Sequence, residues 1–398
     1  MLGAHTYLLF MDFHAVNFKS ALTTALQKLA DFGVAKYAEL IATYIHFTKN
    51  THEQKAWMLE DAQLYCLDKD RTQIKDSATL CALVSAGMTI SYLDLPYQKK
   101  CKLKYFMGLL LKDIAHRFNL NSSREELSKM LNYNKTQKKK VVCVWFENYS
   151  RQHAMHRCYS SILEQLKKQY KIVCIIPSET YKDELRWLSN DFVVINEITV
   201  TPTSLFEVQG FRFSLEQIRK YKPLCIYYPS VAMHHLAVLC SRIRLAPLQI
   251  ASYGHPAPVM LGTSAIDYTI AEEGYNGADV TEYDRPELLP AYSIPIMPNP
   301  VQPDLPLRTV TDGMLQIAVL GMVYKFTPRL IDTIKSFKHK YHFNIFTNQL
   351  PLYHHVVVKQ LEETFGDLYN ITVHPTYALP RYYEVLYNCD VSLSPFRS

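Results

Sequence analysis

Two periods of hydrophobic and polar positions divide the chain. Over residues 17 to about 131 the apolar side chains recur at three- and four-residue steps, in NFKSALTTALQKLADF, AKYAELIATYIHF and KLKYFMGLLLKDIAHRF, the spacing that lines one face of an α-helix. SSREEL adds a start signal, because Ser123 can accept from the amide of Glu126 while that carboxylate reaches back to the cap. This third of the chain predicts an all-helical domain and carries no catalytic constellation.

From Val141 the period changes. VVCVWF, KIVCIIP, DFVVINEI, PLCIYYP, LQIASYG and IDYTIA are short β-branched or aromatic runs, most of them separated by helical stretches such as HAMHRCYSSILEQLKKQY and SLEQIRKY. That alternation predicts an α/β domain, a parallel sheet covered by helices on both faces. Residues 286 to 306 then hold seven prolines (Pro286, Pro290, Pro295, Pro298, Pro300, Pro303 and Pro306), a stretch that can neither continue a helix nor donate a full ladder and so predicts an extended connection. Beyond it LQIAVLGM, HFNIFTN, NITVHP and DVSLSPF restart the alternation. The expected organisation is an all-α domain over 1–137, a Rossmann-like domain over 138–285, a Pro-rich linker over 286–312 and a second Rossmann-like domain over 313–398. The final strand run has no helix after it to cover it, so the second domain is expected to be incomplete. Two open α/β domains in succession predict a cleft between them, where small molecules commonly bind.

Composition narrows the function classes. A chain of 398 residues with 48% hydrophobic content can build two or three cores, and its net charge of +6 is spread along the sequence. The one dense basic cluster, Lys138 to Lys140, reads as a solvated linker, and no nucleic-acid partner is expected. Nine cysteines occur without a CxxC pair, which argues against a disulfide framework or zinc knuckle and for reduced thiols in a cytoplasmic protein. The N-terminus lacks a basic start and a cleavage site, and nowhere do about 18 apolar residues run uninterrupted, so neither secretion nor a membrane span is expected.

The chemistry-bearing candidates sit at strand ends. His153 and His156 lie at a helix start after the first strand run, Gly254 and His255 follow the fifth, and Lys325 follows the first strand of the second domain. Thr327 is a candidate N-cap and Pro328 a candidate first helical residue. A lysine beside a helix N-terminus suits a diphosphate, since free amides and dipole favour an anion and the ammonium adds a full charge. No GxGxxG and no GxxxxGK[ST] is present. Asp68-Lys69-Asp70 lies in the helical third and reads as surface, and the adjacent pairs His234-His235 and His354-His355 diverge on helical patterns, so no metal site is expected.

RLAPLQIASYGHPA followed by IDYTIAEEGY resembles the hallmark of the bacterial cytoplasmic N-glycosyltransferases that modify high-molecular-weight adhesins. These share glycosyltransferase family 41 with the O-GlcNAc transferases. The resemblance extends over about residues 141 to 396 and implies a GT-B-like pair of Rossmann-like domains, preceded by an all-α domain, holding a UDP-sugar without a metal or other cofactor. ENYSRQH matches the family's Glu-x-x-x-x-x-His stretch and puts an active-site histidine at His153. The Gly-His-Pro-Ala histidine falls at His255, presented by a tight turn at Gly254. The family lysine that contacts the donor diphosphate falls at Lys325, before Thr327, and the glutamine facing the uracil falls at Gln349. HPTYAL, around His374, stands where the family has His-Pro-His-Ser-Pro-Tyr near the nucleotide.

The implied activity is inverting transfer from UDP-glucose or another UDP-hexose to asparagine in an Asn-x-Ser/Thr sequence of an adhesin-like protein. The chain departs from the pattern where LSPFRS stands in place of a Pro-Phe-Gly-Asn-Thr-Asn-Gly donor loop, and the loop after Gly-His-Pro-Ala is about two residues longer. Two alternatives stay open: a truncated, inactive member that at most binds nucleotide or protein, and a related transferase that extends a protein-linked glycan.

Overall fold

The computed structural model describes residues 105, 108–109, 111–112, 115–116, 118–147, 149–150, 153–195, 208–231, 235–252, 265–272, 287–291, 314–321, 326, 328–337, 341–346, 354–365 and 370–393. The all-helical domain expected over 1–137 lies almost wholly outside them. Its described end is helix α1 (Arg124–Thr136), which opens with the capping box read from the sequence. Ser123 Oγ accepts from the Glu126 amide at 3.2 Å and Glu126 Oε2 accepts from the Ser123 amide at 2.7 Å, so two otherwise orphaned helix-end donors are satisfied at once.

Seven parallel strands form the first sheet: β1 (Val141–Trp145), β2 (Lys171–Ile176), β3 (Phe192–Val194), β4 (Cys225–Tyr228), β5 (Leu248–Ser252), β6 (Tyr268–Glu272) and β7 (Glu287–Ala291). They lie in the order β3-β2-β1-β4-β5-β6-β7. Between them run α2 (Ala154–Gln169), a 3-10 turn (Glu179–Tyr181), the short α3 (Lys182–Leu185), α4 (Val208–Lys220) and α5 (His235–Cys240). Every residue of β1 is buried, which is why its sequence is an unbroken apolar run and not an alternating one. Val142 and Val144 pack with Tyr159 and Leu163 of α2 and with Leu185. Val141, Cys143 and Trp145 pack on the other face with Leu215 and Ile218 of α4, with α5, and with Leu111 and Ala115 from before α1.

The start of β1 is fixed by one side chain. Asn134 near the end of α1 is buried; its Nδ2 donates to the carbonyls of Met130 and Lys222 at 2.8 and 2.7 Å, and its Oδ1 accepts from the Val141 amide at 2.8 Å. It thereby ties the helix to the first residue of β1 and to the turn before β4, where Lys222 has φ 51°. The exposed Lys138–Lys140 cluster spans the short connection between them. Residues 287–291 of the Pro-rich stretch are extended and form β7, an edge strand beside β6. An edge is where Pro290, with no amide hydrogen to donate, can be placed.

The second sheet is parallel too, with β8 (Leu315–Leu320), β9 (Tyr341–Phe346), β10 (Asn370–His374) and β11 (Val391–Leu393) in the order β10-β9-β8-β11. Its helices are α6 (Pro328–Ser336), α7 (His354–Phe365) and α8 (Leu379–Tyr387). Ile317, Val319, Phe343 and Ile345 pack with Leu330 and Ile334 of α6 and with Leu361 and Phe365 of α7. Leu95–Pro298 fall in one compact unit and Asn299–Ser398 in the other.

The chain is thus α/β, with two Rossmann-like units in succession, the composition of a GT-B-like fold. In each unit the first strand lies between the second and the fourth, so the connections on either side of it leave toward opposite faces and open a crevice at the carboxyl ends of the strands. Among the described residues no helix is long and apolar enough to cross a membrane. The six described cysteines are free. Burial pushes up the thiols of Cys143 and Cys174, which keeps them protonated and unreactive.

Candidate active site

At the carboxyl edge of the first sheet, β1 and β4 are joined by a buried pair. Glu147, two residues beyond β1, is 4% exposed and its Oε2 accepts from Ser230 Oγ, two residues beyond β4, at 2.9 Å. A buried carboxylate needs such donors to remain charged. The pair lies where the carboxyl ends of the neighbouring strands β1 and β4 meet, at the switch point of the sheet.

His153 stands after β1 at the same edge of the sheet, as the N-cap of α2, its Nδ1 accepting from the Met155 amide at 3.2 Å. In the neutral ring the proton is therefore on Nε2, which is a donor. Burial, followed by the charge of Arg157, pushes the His153 pKa down from its ordinary value, so the neutral form holds at pH 7. The connection that carries it is clamped from below. Ser160 Oγ donates to the His156 carbonyl at 2.6 Å, so the buried Tyr149 hydroxyl donates to Ser160 Oγ at 2.7 Å, and the Tyr149 ring tilts onto His156 at 5.3 Å.

The hallmark RLAPLQ…ID segment acts at the opposite edge of this sheet, the amino ends of β5 and β6. Arg244 makes a two-pronged bond to Asp267, Nη1 to Oδ2 at 2.7 Å and Nη2 to Oδ1 at 2.9 Å, and Asp267 Oδ2 also accepts from the Gln249 amide at 2.8 Å. Gln249 Oε1 accepts from the amides of Leu245 and Ala246 at 2.7 and 3.3 Å. These residues brace the entry to two strands whose far ends lead into the crevice; their role is positional.

In the second unit a chain of polar side chains crosses one face of the sheet. Gln316 Nε2 donates to the Met314 carbonyl at 3.2 Å, Asn344 Nδ2 to Gln316 Oε1 at 3.0 Å, and His374 Nε2 lies 2.9 Å from Asn344 Oδ1. His374 Nδ1 lies 3.3 Å from the Tyr377 hydroxyl. The His374 ring stacks on Phe346 at 4.5 Å with 16° between planes, and Tyr382 of α8 meets Phe346 edge-on at 5.4 Å. Next to it, His342 Nε2 pairs with Thr372 Oγ1 at 2.8 Å. Burial and then His342 push the His374 pKa down. Phe346 and His374 end β9 and β10, so the cluster stands at the carboxyl edge of this unit.

Of the residues expected from the sequence, His153 and His374 are described, each at the carboxyl edge of its own sheet. Gly254, His255, Lys325, Thr327 and Gln349 lie outside the described residues. Phe326, next to Lys325, is buried in the second core, and α6 begins at Pro328. The Glu147–Ser230 pair and the Gln316–Asn344–His374–Tyr377 chain were not legible as sites. Their signals were faint: a glutamate in ENYSRQH, and one asparagine inside the apolar run HFNIF. Among the described residues no group of three or more His, Cys, Asp or Glu side chains is placed to hold a metal.

No family model matches the sequence. A UDP-glucose:protein N-beta-glucosyltransferase of Actinobacillus pleuropneumoniae serotype 7 (strain AP76) is 29% identical over 178 residues, which are 43% of this chain and 28% of that protein. The protein of the same name from serotype 5b (strain L20) is 24% identical over 272 residues, 65% of this chain and 41% of its own length. The chain is similar to protein N-glucosyltransferases. It is thereby a relative of glycosyltransferases, as the hallmark segment implied, and it spans less than half the length of these curated relatives. Among solved structures, a Thermobaculum terrenum O-GlcNAc transferase variant aligns over 93% of this chain and 73% of its own, with a TM-score of 0.49 at 13% identity.

Proposed function

We propose that the protein is a UDP-sugar-dependent protein glycosyltransferase that transfers glucose, with inversion, to asparagine in an Asn-x-Ser/Thr sequence of an adhesin-like acceptor in the cytoplasm. The observation that carries this is the similarity to two proteins named as UDP-glucose:protein N-glucosyltransferases, supported by two Rossmann-type strand orders in one chain. We assign the acceptor side to residues 138–285 and the nucleotide-sugar side to 313–398, joined by 286–312.

In the reaction the amide nitrogen of the acceptor bonds to the anomeric carbon as that carbon's bond to the UDP oxygen breaks, and the proton lost from the nitrogen leaves to solvent with the released UDP. The main electrostatic task is the charge gathering on the departing diphosphate. Lys325, three residues ahead of the start of α6 in the sequence, meets that charge without a metal, together with Thr327. Gln349 and His374 hold the nucleotide. His153, whose Nε2 carries the proton of the neutral ring because Nδ1 accepts from the Met155 amide, acts as a hydrogen-bond donor to substrate oxygen and not as a proton acceptor. His255, presented from Gly254, contacts the substrate.

The test is incubation of the purified chain with UDP-glucose and an Asn-x-Thr peptide, followed by mass spectrometry. A gain of one hexose on asparagine, lost in Lys325→Ala, is expected. Absence of transfer by a folded protein that still binds UDP would favour the second reading, a nucleotide-binding member that does not turn over. Hexose added only to a peptide that already bears a sugar would favour the glycan-extending transferase.

A further inference from the structure

We infer that Tyr377 selects the base of the nucleotide, accepting the imide N–H of a uracil at its hydroxyl oxygen; this rests on the nucleotide-sugar reading above. The inference follows from the direction of the hydrogen-bond chain in the second unit. A backbone carbonyl can only accept, so the group of Gln316 that faces Met314 is its amide NH2. Gln316 Oε1 is then the acceptor facing Asn344, which must turn its own NH2 toward it. Asn344 is left with Oδ1 toward His374, so His374 carries its proton on Nε2.

The neutral ring has one remaining nitrogen, Nδ1, a pure acceptor, and Tyr377 must donate to it. Four bonds fix the polarity from one end to the other. The Tyr377 hydroxyl proton is committed to His374 Nδ1, and what its oxygen still offers a ligand is lone pairs. Among the described residues the hydroxyl makes no other hydrogen bond.

Uracil and cytosine differ at the position such an acceptor would read. Uracil carries a hydrogen on N3; cytosine has a lone pair there. An acceptor held in fixed orientation bonds the first and opposes the second. To receive cytosine, Tyr377 would have to rotate its proton outward and leave His374 Nδ1 without a donor. Turning the His374 ring to compensate would break its bond to Asn344 Oδ1, and the stack on Phe346 keeps the ring in its plane. Phe in place of Tyr377 would remove both the acceptor and the discrimination.

Two measurements test this on the 398-residue chain. Long-range nitrogen–proton NMR of the histidine rings, without nucleotide, is expected to show His374 protonated on Nε2 and bare on Nδ1; a proton on Nδ1 would reverse the chain and overturn the proposal whatever the protein binds. Calorimetric titrations with UDP, CDP and N3-methyl-UDP are expected to show UDP bound about tenfold or more tightly than the other two, the size of one hydrogen bond kept against one refused. In Tyr377→Phe that preference is expected to fall to near unity while the His374 and Phe346 resonances show the fold retained. A preference that survives the substitution would refute the role of Tyr377 and leave the UDP site standing. No UDP binding by a folded wild-type chain would overturn both.

Discussion

The Arg244–Asp267 brace makes a quantitative prediction. Asp267 accepts three hydrogen bonds, two from Arg244 and one from the Gln249 amide, and the two side chains are 28% and 31% exposed. That exposure places the pair between fully solvated ion pairs, worth roughly 0–1 kcal/mol, and buried ones, whose breakage costs roughly 3–5 kcal/mol. Its fixed two-pronged geometry gives a coupling of about 2 kcal/mol. Asp267→Ala also strands the Gln249 amide, for a total loss near 3 kcal/mol, while Arg244→Ala costs about 2 kcal/mol. The double variant should then be hardly less stable than Asp267→Ala alone. Urea unfolding followed by tryptophan fluorescence reads this selectively, because the described tryptophans, Trp145 and Trp187, both belong to the first unit. Additive losses, with a coupling under about 0.5 kcal/mol, would show the hallmark segment to be something other than a brace.

Three further outcomes follow from the packing and the charges. Phe343→Ala, at a side chain with no exposed surface in the second core, should cost about 3–5 kcal/mol; hydrogen exchange of the β8 and β9 amides reads it, and unchanged protection would contradict the packing described. Ser230→Ala removes a donor from buried Glu147 and should destabilise the first unit by about 1–3 kcal/mol, measured by the same fluorescence. Burial, with Arg157 beside His153 and His342 beside His374 adding to it, pushes the pKa values of His153 and His374 below the ordinary 6.5. Their contribution to stability is therefore fully present above that value and lost as pH falls through the lower folded values. Urea midpoints should fall on acidification below about pH 6.5, less steeply in His153→Gln and His374→Gln. Identical slopes in variants and wild type would refute the shifts.

The fold was legible where burial dictates composition. VVCVW and KIVCII are buried on both faces of a parallel sheet and so are apolar throughout, and Ser123 with Glu126 announced the start of α1 by a local rule. The strand order was not readable from periodicity, because it depends on which crossover packs on which face. The site was legible only in part. His153 and His374 stand at strand ends, where the alternation of β and α places ligand chemistry. Asn344 sits in the strand run HFNIFTN with nothing local to mark it, and it is the middle of a polar chain that pairs it with Gln316 and His374, 28 and 30 residues away. Arg244, Gln249 and Asp267 carried the resemblance and turn out to hold the scaffold, since a brace of matched donors and acceptors constrains sequence as tightly as a reacting centre does.

The central claim, that the second unit forms a donor site around Lys325, is tested most directly by calorimetric titration of UDP into the purified chain. The account predicts saturable binding at one site, abolished by Lys325→Ala without change in folding. A folded wild-type chain that takes up no UDP, or a Lys325→Ala variant that binds it as well as wild type does, would contradict it.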